Sequence, residues 1–381
     1  MMRLRFTVML AALFACAGIL SASYLESDHE KKPPEEEPPR RILPPEPLRP
    51  VLSNPLTELI GRATVLDGYS WRGLTVFPVE LSRVGDATDY LSVAEALRKN
   101  LLVVREKGEG NVPVLVVENR GNGPVLMLGG ELLLGGKQNR VLREDVLLAP
   151  RSGPVEVPVF CIEQGRWTHK SDAFESRLSV APLAVREAAQ AGGSQDAVWS
   201  GVASYQRSLK VESATGDLQA VHDSPAVRKA LAEYTERFDE RCWRREQVGM
   251  VVARHGRIVG ADLFASAALF RKHRDRLLES YALDCIAHES RREDAVWRAP
   301  DRNAAEQFLR IVYRSDFAWR NAAGLGRFLV ASGAGLSGQS LVYWDNVLHA
   351  YLAAREVVVI HPPHPVPRPV PIPIEPMLPE D

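Results

Sequence analysis

Residues 129–145 read GGELLLGGKQNRVLRED, and apolar, strand-like sequence lies on both sides of them. Two glycine pairs bracket an acid in this segment, and four consecutive polar side chains follow at residues 137–140. A solvated loop does not need apolar flanks, and a packed strand does not favour four polar residues in succession. The pattern therefore predicts a polar site mounted on a β scaffold, although it specifies no reaction.

Short apolar runs separated by turn signals surround this segment. They are residues 74–79, 101–104, 112–118, 125–134, 146–148 and 155–162, with a short helix predicted at residues 90–99. Because the later runs follow one another without intervening helices, they imply a mainly antiparallel sheet or sandwich.

The pattern changes near Phe174, where helical spacing of apolar residues begins. Helices are predicted at residues 183–191, 197–209, 225–241, 267–288, 304–313 and 340–353, with a hairpin over residues 248–263 and a strand at residues 327–331. The predicted fold class is therefore α+β. It has a mainly antiparallel sheet or sandwich in the N-terminal half of the body, and helices plus a hairpin in the C-terminal half.

Two tails flank this body. Arg3 and Arg5 precede an apolar stretch at residues 6–20, and small residues follow, which is the order found in a secretory signal. The two proline-rich segments have little to pack and are expected to form extended spacers. The predicted segments are a signal (residues 1–23), a Pro/Glu-rich linker (24–54), a single α+β domain (55–361) and a Pro-rich tail (362–381).

The signal leaves the mode of release open. Residues 13–16 read LFAC and resemble a bacterial lipobox, which predicts a membrane tether through a lipidated Cys16. Plain cleavage near Ala22 or Ser23 is the alternative. Both outcomes predict an exported protein in the periplasm, in the envelope or secreted.

Composition argues against a nucleic-acid partner and against a metal site. The formal net charge is -1, and no basic stripe is interleaved with aromatic residues. The four cysteines include no CxxC pair and have no zinc-ligand spacing. We interpret the three that lie in the body (Cys161, Cys242 and Cys285) as small buried hydrophobes, and their redox state stays open.

The polar run at residues 137–140 offers the chemistry of an anion site. Lys137 and Arg140 suit phosphate or carboxylate, and the guanidinium can form two parallel hydrogen bonds. Gln138 and Asn139 each offer a donor and an acceptor, as recognition of a base, an amide or a sugar requires. The alternative is a polar turn in a hairpin, with Arg140 in a structural ion pair.

Two acidic residues in apolar surroundings are further candidates. Burial would raise the pKa of Glu131 and make it a catalytic general base, but Glu131 is equally a structural partner for Arg140 or Lys137. Asp262 lies at the exit of the predicted hairpin, where we expect it to cap the following helix.

A second polar segment, CIEQGRW at residues 161–167, ends another apolar run. It supplies Glu163, Arg166 and Trp167 as a second wall for a ligand, with Trp167 stacking on a base or sugar or else packing in the core. A nucleophilic Cys161 would need a base such as His169, and no local signature supports one.

Three stretches together resemble one family, the ADP-ribosylglycohydrolase- and rhodanese-phosphatase-superfamily-associated protein domain. They are the segment from Gly130 to Arg140, residues 161–167, and residues 249–264 together with residues 280–284, and the resemblance covers about residues 55–351. The family has no firmly established activity. Its association with ADP-ribose and NAD metabolism implies a nucleotide-like or phosphorylated small ligand, and it leaves the cofactor unknown.

The leading hypothesis is an exported α+β domain that binds a small anionic ligand, ADP-ribose-like or nucleotide-like. The ligand would lie between residues 137–140 and the wall formed by Glu163, Arg166 and Trp167, and Glu131 would act in any chemistry. Two alternatives stay open: an envelope-tethered protein-interaction domain, and a hydrolase of phosphorylated or ADP-ribosylated substrates. Whether the protein is an enzyme is therefore not decided by its sequence.

Overall fold

The computed structural model of this protein describes residues 53–83, 86, 88–108, 113–166, 174, 179–190, 193–289, 298–333 and 335–355. All of them belong to the second of the chain's two units, Arg49–Asp381. The predicted signal, the proline-rich tail, Trp167 and His169 lie outside the described residues, as does nearly all of the linker.

The helices of the described residues are α1 (Pro55–Arg62), α2 (Val93–Arg98), α3 (Leu183–Gln190), α4 (Gln195–Leu209), α5 (Gln219–Asp223), α6 (Pro225–Cys242), α7 (Ala267–Glu289) and α8 (Arg302–Arg310), which a 3-10 turn (Ile311–Arg314) extends. The N-terminal strands are β1 (Ala63–Val65), β2 (Tyr69–Trp71), β3 (Leu74–Leu81), β4 (Leu91–Ser92), β5 (Leu102–Glu106), β6 (Val114–Asn119), β7 (Val125–Met127), β8 (Leu132–Leu133), β9 (Arg140–Leu142), β10 (Val146–Leu148) and β11 (Val155–Cys161). The C-terminal strands are β12 (Gln247–Arg254), β13 (Arg257–Phe264), β14 (Asp316–Asn321), β15 (Arg327–Gly333), β16 (Leu336–Tyr343) and β17 (Asn346–Ala354).

Three sheets organise the described strands. The largest has the order β1-β3-β12-β13-β17-β16-β15-β14, with β2 paired to β3, and all its pairs are antiparallel. The order of the second is β5-β6-β11-β9-β8, and that of the third is β10-β7-β4, in which β4 and β7 run parallel. The predicted α+β class with a mainly antiparallel sheet is confirmed.

The central strands of the large sheet are buried on both faces. Along β12, Met250 and Val252 point into a core shared with α3, α4, α6 and α7, whereas Val251 and Ala253 point into a core shared with α1 and α8. This alternation is the period-two geometry of a strand. A third core packs α2 against the two smaller sheets. Burial on both faces explains why β3, β12 and β17 have largely apolar sequence, whereas the edge strand β14 is mostly exposed.

Two tight turns close hairpins of the large sheet. His255 and Gly256 both have positive φ between β12 and β13, and Trp344 and Asp345 do so between β16 and β17. Positive φ at both central residues is what a two-residue turn that matches the strand twist requires. The hairpin predicted over residues 248–263 is therefore confirmed.

The helix predicted at residues 340–353 is wrong, because this segment forms the end of β16 and most of β17. Seven consecutive residues of β17 are buried. A short apolar run that is buried on both faces lacks strand alternation, so its periodicity does not separate it from a buried helix.

The helix-capping interpretation of Asp262 is also wrong. Asp262 lies inside β13, and α7 begins five residues later, at Ala267. The hydroxyl of Ser266 takes the capping position and accepts a hydrogen bond from the backbone N–H of Leu269 at 3.3 Å.

Among the helices of the described ranges, none is both long enough and apolar enough to cross a bilayer.

Candidate functional site

The first glycine pair lets helix α3 approach the end of β7. A Cβ added to Gly129 would lie 2.2 Å from Nε2 of Gln190 and 3.1 Å from Cα of Glu144. A Cβ on Gly130, whose φ is +94°, would lie 3.0 Å from Cγ of Arg186. The motif therefore uses glycine because side chains and backbone of other elements pass closely at this point.

Glu131 lies inside the protein and is held from two sides. Its Oε1 is 2.6 Å from Nη1 of Arg276, and its Oε2 accepts a hydrogen bond from the backbone N–H of Leu128 at 3.0 Å. Burial raises the pKa of Glu131, and the positive charge of Arg276 opposes that rise. Its ion-pair partner is thus neither Arg140 nor Lys137, and the catalytic role of Glu131 stays a prediction.

The polar run at residues 137–140 bonds mainly to other parts of the chain. Gln138 donates from Nε2 to the backbone oxygen of Glu163 at 2.7 Å, and Asn139 donates from Nδ2 to Asp217 at 2.9 Å. Arg140 is fully buried and donates to the backbone oxygen of Gln138 at 3.0 Å. The backbone N–H of Lys137 donates to Glu106 at 3.1 Å.

The two predicted motifs meet in space. Arg166 forms an ion pair with Glu163 at 2.7 Å, donates to the backbone oxygen of Gly136 at 2.9 Å, and lies 3.4 Å from Oδ1 of Asn139. Because Arg140 contacts Gln138 and Arg166 contacts Asn139, both arginines lie at the same junction. Their binding of a ligand stays a prediction.

Cys161 lies at this junction as a protonated thiol. Its Sγ donates to Oε1 of Gln138 at 3.0 Å, and burial raises its pKa to about 11. Nucleophilic attack requires the thiolate, so this environment disfavours attack near neutral pH. The three cysteines of the described body are free and buried, in agreement with their interpretation as small hydrophobes.

A buried charged network behind the glycine pair was not predicted. Arg186 forms an ion pair with Asp262, which also accepts from the hydroxyl of Tyr281 at 2.7 Å. The ring of His349 lies between two acids, with Nε2 3.0 Å from Oδ1 of Asp262 and Nδ1 2.8 Å from Oδ2 of Asp145. An imidazole whose two ring nitrogens each contact a carboxylate favours its charged form.

The titration of this network follows from its geometry. Burial favours neutral Asp262, but Arg186 and His349 outweigh burial and hold its pKa well below the usual range. Burial likewise favours neutral His349, but Asp145 and Asp262 outweigh burial and raise its pKa to about 9. The network therefore holds paired charges at neutral pH.

A cavity of about 380 Å³ lies beside this network, between α3 and the strands β14, β15, β16 and β17. Its polar lining includes Arg143, Glu144, Glu187, Gln190, Arg320, Gln339, Tyr351 and Arg355. Glu144 and Gln190 are the residues that approach Gly129, and Tyr351 lies under the guanidinium of Arg186 at 3.9 Å from the ring centroid. The glycine motif and the charged network thus support its wall.

One part of the cavity carries cations. Arg320 bonds to Glu144 at 2.6 Å and to Oε1 of Gln339 at 3.0 Å, so its guanidinium is oriented from two sides. Arg143 stacks on the ring of Phe160 at 4.5 Å. Within the described ranges, neither Arg143 nor Arg355 has a side-chain ion pair.

Another part of the cavity carries acceptors. Glu187 has no hydrogen-bond or ion-pair partner for its carboxylate in the described part of the chain. Burial and the neighbouring charge of Asp284 raise the pKa of Glu187 to about 7. The hydroxyl of Tyr351 and Oε1 of Gln190 are buried, and neither has a partner among the described residues.

Comparison with known proteins agrees with the motifs. A family model described as the ARG and Rhodanese-Phosphatase-superfamily-associated Protein domain matches residues 62–353. The chain belongs to this family. The resemblance stated from the motifs is therefore confirmed. No curated protein matches the chain, and no solved structure does.

The match spans the associated domain from the end of α1 nearly to the end of β17. Every residue of the charged network lies inside it, and so does the cavity lining except Arg355. The described residues include no group of three or more His, Cys, Asp or Glu side chains arranged to hold a metal ion. The polar lining of the cavity consists of arginines, carboxylates, amides and hydroxyls.

Sequence reasoning missed Arg186, Glu187, Arg320 and His349. Arg186 and Glu187 lie on α3, whose apolar spacing predicts only a packed helix. Arg320 lies in the mostly exposed strand β14, and His349 lies in the largely apolar strand β17. One signal was present, because an arginine and an acid follow each other at residues 186–187 on a helix of which half the residues are buried.

Proposed function

We propose that this domain binds a small anionic ligand in the cavity lined by Arg143, Arg320 and Arg355. The observation that carries the proposal is the presence of three guanidinium groups, two of them without an ion-pair partner in the described residues. Guanidinium groups bind carboxylate and phosphate through parallel hydrogen bonds. The volume of about 380 Å³ is within the range of small-molecule sites.

The polar run at residues 137–140 is the second candidate place for the anion. An anion there would compete with existing contacts, because Arg140 is fully buried and already bonds to Gln138, with Glu106 3.5 Å away. In the cavity, an anion would meet Arg143 and Arg355 without displacing a carboxylate. We therefore favour the cavity and assign the polar run a structural role in the junction of the two motifs.

The family's association with ADP-ribose metabolism supports a phosphorylated or nucleotide-like ligand. The pattern of residues 1–23 supports an exported location, in the periplasm, in the envelope or secreted, with Cys16 as a lipid tether. Both statements are part of the proposal. A protein-interaction role and hydrolysis are the alternatives, and neither has a contact in its favour comparable to the three arginines.

A thermal-shift screen tests the proposal on the mature protein. The panel contains ADP-ribose, AMP, sugar phosphates, inorganic phosphate and sulfate, each against chloride of equal ionic strength. A ligand present at 100 times its Kd stabilises by about 2.7 kcal/mol, which raises Tm by a few degrees. We expect a shift in the wild type that is lost in Arg143→Ala/Arg320→Ala.

Arg245→Ala is the matched control, because the side chain of Arg245 is 93% exposed and lies outside the cavity. It should keep the shift. Two results would contradict the proposal: no anion of the panel raises Tm of the wild type, or the double variant keeps the wild-type shift.

A further inference from the structure

Glu187 is an unusual wall residue for an anion site. It stands on α3, lines the same cavity as the arginines, and brings a negative charge to it. The other acid of the cavity, Glu144, is neutralised by Arg320 at 2.6 Å. Glu187 has no such partner among the described residues. A bare anion therefore meets repulsion at Glu187 as well as attraction at the arginines.

Two of the three cations that act on Glu187 are engaged in other ion pairs. Arg186 is paired with Asp262, and Arg254 lies 3.4 Å from Asp284. Asp284 itself accepts hydrogen bonds from the hydroxyl of Tyr205 and from the backbone N–H of Leu183. Of the cations that act on Glu187, only Arg355 has no ion-pair partner in the described part of the chain.

Glu187 lines the cavity, and its carboxylate has unused acceptor capacity among the described residues. An ionised carboxylate accepts hydrogen bonds and donates none, so it needs donors from whatever occupies the cavity. Hydroxyl groups of a polyol are such donors, and acidic side chains bind the ribose hydroxyls of dinucleotides in this way. The hydroxyl of Tyr351 and Oε1 of Gln190, both without a partner in the described residues, belong to lining residues but are themselves buried, so Glu187 is the acceptor that the argument uses.

We propose that Glu187 accepts hydrogen bonds from hydroxyl groups of the ligand, so that the cavity selects a hydroxylated phosphate ester, such as a sugar phosphate, over a bare anion. This inference rests on the proposed function and specifies its ligand class. The phosphate lies against the arginines, and the hydroxyls lie against Glu187. A ligand with only one of these two features loses the contacts of the other.

Glycerol 3-phosphate and propyl phosphate form a matched pair of probes. They carry the same phosphate ester on a three-carbon chain, and only the first has hydroxyls. Binding is measured by calorimetry near pH 8, where Glu187, whose pKa is about 7, is ionised. We expect glycerol 3-phosphate to bind the wild type about tenfold more tightly, since a hydrogen bond to a charged group contributes on this scale.

Glu187→Ala should bind the two probes within about twofold of each other, with propyl phosphate bound as tightly as by the wild type or more tightly. Glu187→Gln keeps the shape of the side chain, and it should retain a reduced preference. Glu246→Ala is the control, because Glu246 is 63% exposed and lies outside the cavity. Tm of each variant shows whether it is folded.

Two outcomes would overturn the inference while the anion site stands: equal affinity of the two probes for the wild type, or a preference that survives in folded Glu187→Ala. Failure of both probes and of ribose 5-phosphate to bind the wild type would instead remove the anion site, and the inference with it. The experiment therefore separates failure of the selectivity from failure of the site.

Discussion

Arg186 and Asp262 form an ion pair with two hydrogen bonds inside the protein, although they are 76 residues apart in the chain. Both side chains are almost completely buried. The pair connects α3 to the middle of the large sheet. Its guanidinium covers the ring of Tyr351, which belongs to the cavity wall. The geometry of the candidate site therefore depends on a charged network that no ligand needs to touch.

Removing one member of this pair should destabilise the fold strongly. Arg186→Met leaves the carboxylate of Asp262 buried with fewer positive partners, and breaking a buried pair in this way costs about 3–5 kcal/mol. Urea denaturation of the wild type and of Arg186→Met measures their free energies of unfolding. Arg245→Met, at an exposed position, should change it by less than about 0.5 kcal/mol. A loss below about 1 kcal/mol in Arg186→Met would contradict the assigned role.

The stability of the protein should fall at alkaline pH because of His349. The pKa of His349 is raised from 6.5 to about 9 in the folded state, so its stabilising contribution is complete below pH 6.5 and is lost as pH rises through about 9. The contribution is at most about 3 kcal/mol. Unfolding free energies measured over this range should decline in the wild type and decline less in His349→Gln. Parallel curves for the two proteins would contradict the prediction.

Glu187→Gln should stabilise the protein by an amount that grows as pH rises. The folded-state pKa of Glu187 is raised from 4.5 to about 7, so ionisation destabilises the wild type progressively between these values. The neutral amide avoids this cost, and Glu187 is only partly enclosed, so we expect a gain of about 1–2 kcal/mol near pH 8. Near pH 4 the gain should vanish. Denaturant unfolding at both pH values checks the prediction, and a pH-independent difference would refute it.

Gly249→Ala tests the close pairing of β12 and β13. A Cβ at this position would lie 2.3 Å from the backbone oxygen of Asp262 and 2.9 Å from Cα of Leu263, so the strands have to separate. We expect a loss of about 2 kcal/mol or more. At Gly153 an added Cβ has no neighbour within 4 Å, so Gly153→Ala should stay within about 0.5 kcal/mol of the wild type. Similar unfolding free energies for the two variants would show that the contact between β12 and β13 is not tight.

Arg140→Ala and Arg320→Ala separate the two candidate places for the anion. Arg140 is fully buried, so its loss should lower the unfolding free energy by about 3 kcal/mol and leave anion binding by the folded protein intact. Arg320 is 44% exposed but its partner Glu144 is buried, so its loss should lower the unfolding free energy by about 1–3 kcal/mol and weaken binding. Calorimetric titration of both variants with the same phosphate ester decides. Binding that is lost only in Arg140→Ala would place the anion at residues 137–140, as the motif first suggested.

Much of the fold follows from local pattern. Helices α6 and α7 have the expected bounds to within a few residues, and the β12–β13 hairpin turns at His255 and Gly256 as the sequence indicates. These signals need only the periodicity of a helix, the chemistry of a turn and a capping side chain. Strand β17 was not predicted, because both of its faces are buried and its sequence therefore lacks the alternation of apolar and polar residues.

The site follows local pattern less closely. The motif at residues 129–145 correctly predicts a β scaffold with a polar junction. Glu163 and Arg166, which form an ion pair, are only three residues apart in the sequence. Glu131, however, pairs with Arg276, which lies 145 residues away. No spacing in the sequence relates such positions, because the pairing depends on where α7 packs on the sheet.

Local sequence alone therefore establishes an α+β domain of this family, the positions of most of its helices and strands, and the presence of two polar motifs. The tertiary structure alone decides that Arg143, Arg320, Glu187 and Tyr351 line one cavity, and that His349 lies between two acids. The reason is physical. Backbone hydrogen bonding and side-chain periodicity act over a few residues, whereas the packing of α3 on a sheet built from both ends of the domain brings distant charges together.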